Sequence, residues 1–112
     1  MKATTRNIGD VKVIDLDGKF VMGGGYVIVQ DEITRLVEKH GAKNLLIQMK
    51  PVTKADDSAV TGLVALRNDF ARVNGATIKL LDVRIKDDRI FTRVMREFEC
   101  YDDEAAAIRS FA

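Results

Sequence analysis

Residues 44–63 read NLLIQMKPVTKADDSAVTGL, and this stretch decides the architecture. Asn44 to Met49 centres on Leu45-Leu46-Ile47, an apolar run too brief for a helix. Set between two helical patterns, it reads as an interior strand covered on both faces. Pro51 closes it. Asp56-Asp57-Ser58 then opens an amphipathic helix from about Ser58 to Val73, with Ala59, Leu63, Leu66, Phe70 and Val73 on one stripe and Asn74-Gly75 as the stop. Ser58 is the expected N-cap, because its hydroxyl can accept from an otherwise unpaired N–H of the first turn. The same placement leaves that hydroxyl at a surface turn, within a kinase's reach. A phosphate there would carry about −1.5 to −2 charges and could use the amides of Ala59 and Val60, which are expected to be free.

Upstream, Thr4 to Ile8 and Val11 to Leu16 read as two strands around a Gly9-Asp10 turn, and Lys19 to Met22 continues extended. Gly23-Gly24-Gly25 breaks the pattern. From Tyr26 the period becomes helical, with Val29, Ile33, Leu36, Val37 and His40 on one face and Gly41 as the stop. Downstream, Thr77 to Leu81 is a strand. Ile90, Phe91, Val94, Met95 and Phe98 mark a helix capped near Asp87 or Asp88. Glu99 to Tyr101 fits a short edge strand, and a last helix capped by Asp102 or Asp103 is expected to dock through Ala105, Ile108 and Phe111. The predicted fold class is α/β: a mixed sheet of four or five strands, opening with an antiparallel hairpin, and about four helices.

The 112 residues make a single domain, 1–112, large enough to bury a core without disulfide or metal staples. The net charge of +1 and the spread of basic residues along the chain leave a nucleic-acid reading without an electrostatic footprint. Cys100 is the only cysteine, which fits a reducing compartment. The amino-terminal residues lack the apolar core of a secretory signal, and no apolar run approaches the roughly 20 residues of a membrane span. A soluble, cytoplasmic protein is the expectation.

Three segments together resemble one known family. Val13-Ile14-Asp15-Leu16-Asp17-Gly18-Lys19-Phe20 resembles the opening strand of STAS domains, which typically ends in Leu-x-Gly-Arg-Leu. Leu45-Leu46-Ile47 before Val52 resembles the strand that leads into their signature loop. Asp56-Asp57-Ser58-Ala59-Val60-Thr61-Gly62-Leu63 is similar to the Asp-Ser-Ser-Gly-Leu-Gly-x-Leu signature itself. Asp57 stands in place of the first serine and Ala59-Val60-Thr61 in place of Gly-Leu-Gly. Lys54 stands where an apolar residue is usual, and Gln48 where an aspartate is common.

In the bacterial anti-sigma factor antagonists of that family, the second serine of the signature is phosphorylated by a partner kinase that is also the anti-sigma factor. The resemblance therefore implies Ser58 as phosphoacceptor, with Lys54, Asp56, Asp57, Ala59 and Thr61 as the docking surface. It implies an anti-sigma factor serine kinase as protein partner, bound only while Ser58 is unphosphorylated. No cofactor, no direct nucleic acid and no membrane is implied, and the domain is not expected to be an enzyme. A non-phosphorylated STAS scaffold or sensor-complex subunit, as a homodimer or a larger STAS assembly, is the alternative.

Other candidates carry less. His40 in the last turn before Gly41 suits a helix C-terminus rather than a catalytic group. Cys100 has no base nearby in sequence and sits among Glu97, Glu99, Asp102 and Asp103, which raise a thiol pKa. Gly23-Gly24-Gly25 lacks the Lys-Ser/Thr of a phosphate loop and the GxGxxG spacing, so a small-ligand sensor or enzyme at that point lacks its chemistry. Met22, Met49 and Met95 read as core or rim fillers. No cluster has metal-ligand spacing.

Overall fold

The computed structural model describes all residues, 1–112. Five strands form one sheet in the order β1-β2-β3-β4-β5: β1 (Lys2–Ile8), β2 (Val11–Asp17), β3 (Asn44–Gln48), β4 (Thr77–Leu81) and β5 (Cys100–Tyr101). β1 and β2 form the antiparallel hairpin, and every later pairing is parallel. Four helices connect and cover it: α1 (Gly24–Thr34), α2 (Asp57–Asn74), α3 (Asp88–Glu97) and α4 (Glu104–Arg109). α1 runs on into one π-helical turn, Arg35–Lys39.

The run Leu45-Leu46-Ile47 lies in the middle of the sheet, and all three residues are fully buried. Its neighbours divide between the two faces by strand alternation. Ile14, Leu16, Leu45, Ile47, Ile78 and Leu80 pack under α1, α2 and α3, while Val11, Val13, Leu46 and Leu81 pack under α4. Burying each such side chain is worth about 1.5–3 kcal/mol, which makes β3 the strand with most to lose on opening. On the α4 face Lys79 is buried, and its ammonium is satisfied by Ser110 Oγ (2.9 Å), the Ser110 carbonyl (3.0 Å) and Glu99 (2.6 Å). A buried cation with three oxygen partners holds the C-terminal segment to the sheet.

Several element details differ from expectation. The segment Lys19–Met22 contributes a single bridge, Phe20 to Ala55, because it leaves the sheet plane to reach the loop before α2. α1 begins at Gly24, two residues before Tyr26; a Cβ on Gly25 would lie 2.3 Å from the Lys19 carbonyl, so only glycine lets the helix start against that strand end. His40 is exposed instead of sharing the apolar face, and its ring stands 3.0 Å from an Arg35 Nη. On α2 the buried stripe fades along the helix. Ala59 and Leu63 are buried, Leu66 and Phe70 half-buried, and Val73 is 68% exposed, because the sheet ends beneath the last turns. In α4 the buried residue is Ala107 and Ala105 is exposed, while Ile108 and Phe111 are half-buried against the sheet.

Candidate functional site

The head of α2 is built on the loop that joins it to β3. Val52 and Ala55 turn inward and are buried, which fixes the loop to the core at two points. Both of its edges are stitched by backbone bonds: Phe20 N–H donates to the Lys54 carbonyl at 2.9 Å, Asp56 N–H to the Phe20 carbonyl at 3.2 Å, and Lys86 N–H to the Thr53 carbonyl at 3.0 Å. Loop residues Pro51, Thr53 and Lys54 face outward. The loop thus presents a fixed rim rather than a flexible one.

The cap of α2 is Asp56, in place of Ser58. Asp56 has extended dihedrals, and its carboxylate accepts from Ala59 N–H at 2.8 Å. The same carboxylate accepts from Met22 N–H at 3.2 Å. One side chain therefore caps α2 and clamps the Lys19–Met22 segment beside it. Ser58 falls at the second position of the helix, where a side chain points away from the axis and outward. It is exposed, and its hydroxyl has no partner within the chain.

Two further expectations change for the same reason. The Ala59 amide is taken by Asp56, and the Val60 amide donates to the Asp56 carbonyl at 3.2 Å, so neither is free for a phosphate. Ala59 itself is fully buried, as is Val60; Ala59 belongs to the core beneath the site and offers no docking surface. Lys54 and Thr61 are exposed as expected, and Asp56 and Asp57 are half-buried.

The signature segment ends at Leu63, but the site does not. Arg93 of α3 reaches across to α2: one Nη donates to the Asp57 carbonyl (3.0 Å) and Oδ1 (3.3 Å), and the other to Thr61 Oγ1 at 2.7 Å. Arg89 lies 3.5 Å from the other Asp57 oxygen. Arg89, Arg93 and Arg96 are spaced i, i+4, i+7 and line one cleft with Asp57, Asp88 and Thr92. Three of the 18 basic residues are gathered here by a single helix face. The spacing was visible in the sequence; what was invisible was that α3 lies against the start of α2.

The start of α1 and the segment before it expose apolar side chains. Met22, Val27 and Ile28 are 46%, 45% and 41% exposed, and Met22 sits directly on Asp56 through its amide. Met22 is thus at the edge of the site, while Met49 is core and Met95 is exposed elsewhere on α3. Beneath the rim, the Tyr26 ring fills the space over Gly62, where a Cβ would stand 2.7 Å from the ring. Burial raises the Tyr26 phenol pKa, keeping it neutral as a packing group. No three His, Cys, Asp or Glu side chains come together as a metal-binding group, and no helix is long and apolar enough to cross a membrane. Cys100, on the edge strand β5, packs against the core face that α2 and α3 cover, its thiol pushed up to about 11 by burial and then by Glu99.

This arrangement, a five-stranded mixed sheet with an antiparallel opening hairpin and a capped helix after the central strand, is the STAS fold. Among solved structures, the chain is similar to tm1081 of Thermotoga maritima, described as a candidate anti-sigma factor antagonist, with a TM-score of 0.80, 14% identity and coverage of 96% of this chain and 92% of that one. It is also similar to phosphorylated SpoIIAA, a Bacillus cell fate determinant (TM-score 0.72, 13% identity, 99% and 100% covered). A third likeness is to murine Slc26a9, an anion transporter (TM-score 0.73, 13% identity), where 92% of this chain matches 18% of the transporter. No protein-family model matches the sequence, and no curated protein matches it either.

Proposed function

We propose that this domain is a phosphorylation-switched protein-binding module of the anti-sigma factor antagonist kind, with Ser58 as the phosphoacceptor and no catalytic activity of its own. Its partner is an anti-sigma factor serine kinase, held while Ser58 carries a free hydroxyl. The observation that carries this reading is the division of labour at the head of α2. Asp56 does the capping, so the exposed Ser58 hydroxyl has no structural duty and is available to a kinase. In the modification, Ser58 Oγ attacks the γ-phosphorus of ATP, its proton passes to the kinase's base, and ADP leaves.

The docking surface is Lys54, Asp56, Asp57 and Thr61, joined by the apolar rim of Met22, Val27 and Ile28. Apolar rim and fixed polar centre lie side by side, which suits a protein surface better than a small molecule. A phosphate in the middle of that interface would be a buried charge, costing several kcal/mol where it finds no partner. Binding is then lost without refolding. The likeness to SpoIIAA, solved in both unphosphorylated and phosphorylated forms, supports this reading. The alternative of an unphosphorylated scaffold subunit draws on Arg93, whose bonds to Asp57 and Thr61 hold this surface in one conformation.

The test is incubation of the purified protein with an extract of its source cells and Mg-ATP, followed by mapping of phosphate by mass spectrometry. One phosphate on Ser58, absent from Ser58→Ala, is the expected result. Phosphate on another residue alone, or none, overturns the switch.

A further inference from the structure

We propose that Arg93 is the receiving group for a phosphate on Ser58, leaving its present partners on α2 to bind the phosphate oxygens. This deepens the switch reading and rests on Ser58 being the modified residue. Arg93 reaches α2 at the residue before Ser58 and again at Thr61, three residues after it. Residues three apart on a helix are surface neighbours, with Cβ atoms about 5–6 Å apart, so a phosphate on Ser58 enters the space beside Thr61 Oγ1. The Arg93 guanidinium is already there, 2.7 Å from that oxygen.

Its present bonds are weaker than those a phosphate would give. Two of its three acceptors are neutral, a carbonyl and a hydroxyl, and the carboxylate contact at 3.3 Å is long for a charge-assisted bond. A phosphate offers three oxygens and close to two charges in the planar, forked geometry that guanidinium groups match. Arg89, 78% exposed and only loosely held by Asp57, is the second cation within the cleft. The helix amides at Ala59 and Val60 are occupied, so the cationic groups beside the head of α2 are those of α3. The switch then works in two ways at once: the phosphate occupies the docking surface, and it pulls Arg93 off Asp57 and Thr61, which are part of that surface.

The charged groups on the elements packed around the head of α2 make the sign of one measurement decisive. Asp56 and Asp57 on its own segment, and Asp87 and Asp88 at the start of α3, oppose the second ionisation of a phosphate. Arg89, Arg93 and Arg96 of α3, with Lys54 and Lys86 on the two loops, favour it. A cation in contact lowers the second pKa below its usual value of about 6, whereas the aspartates alone would raise it.

Phosphoserine can be placed at position 58 during translation, without a kinase, and titrated by phosphorus NMR. The expected midpoint lies about 0.5–1 unit below 6 in the wild-type background. In Arg93→Gln it rises to 6 or above, in Arg93→Lys it falls between, and in Arg72→Gln, at the far end of α2, it stays at the wild-type value. The Arg93 Nε resonance of the wild-type phosphoprotein is expected to shift with the same midpoint as the phosphorus, a reading that does not depend on any variant folding. A wild-type midpoint at or above 6, or an Arg93 resonance that does not follow the phosphate, overturns the proposal. Because no kinase is involved, failure to find a kinase for Ser58 would count against the switch alone, and a normal midpoint against Arg93 alone.

Discussion

Replacing Asp56 by alanine separates the two duties that the sequence suggested for a single serine. In the structure Asp56 caps α2 through Ala59 N–H and holds Met22 N–H through the same carboxylate. Loss of an N-cap costs about 0.5–2 kcal/mol. The bond to Met22 is charged but long, at 3.2 Å to both oxygens, and contributes about 1 kcal/mol. The favourable position of a carboxylate at the positive end of an 18-residue helix adds about 0.3–1 kcal/mol. Together, Asp56→Ala is expected to cost about 2–4 kcal/mol, measured as a lower urea midpoint at unchanged slope. At about 4 °C per kcal/mol for a domain of this size, the melting temperature falls by roughly 8–16 °C. Asp56→Asn keeps the cap and loses only the charge, so about half of that loss should return. Ser58→Ala, at an exposed position with no hydrogen bond, is expected to stay within about 0.5 kcal/mol of wild type. The reverse order, with Ser58→Ala costing more than Asp56→Ala, would refute the capping assignment and with it the argument that Ser58 is free.

Gly62→Ala places a Cβ 2.7 Å from the Tyr26 ring and is expected to cost about 1–3 kcal/mol by urea unfolding, relieved by a second change, Tyr26→Leu. Glu32, held below its usual pKa first by Arg35 and then by Thr5, and Glu99, held below by Lys79 and then Tyr101, both contribute stability above pH 4.5 that is lost as pH falls through their lowered values; Glu32→Gln and Glu99→Gln should flatten the acid limb of a stability–pH curve. The Cys100 thiol, raised to about 11, should react slowly with iodoacetamide near neutrality and accelerate until about pH 11 while the fold persists.

How much the sequence disclosed follows from which interactions are local. β3 and β4 were legible because short apolar runs between helices admit few other readings, and Thr77 to Leu81 is the strand observed. Asp87 and Asp103, named as one of two alternatives each, are the caps of α3 and α4. The cap of α2 was misplaced because Asp56, Asp57 and Ser58 are all capping residue types, and local preference cannot rank three in a row. What ranked them is a non-local contact: Met22 N–H needs an acceptor, and only the carboxylate at position 56 reaches it. Ala59 was assigned to the surface through its place in a motif, although its helical phase, shared with Leu63, already put it in the core. Arg93 could not be found from α2 at all, since the separation of 32 positions from Thr61 is bridged only by the packing of α3.

The central claim, that a phosphate on Ser58 abolishes docking, is tested most directly by titrating one purified protein against the serine kinase that captures it, with Ser58 either free or replaced by translationally incorporated phosphoserine. A buried, imperfectly paired charge of about 3–5 kcal/mol corresponds to a loss of affinity of about 10²–10⁴-fold, and circular dichroism should show both forms equally folded. An affinity for the phosphorylated form within about threefold of the unmodified one, less than 1 kcal/mol, would contradict the account.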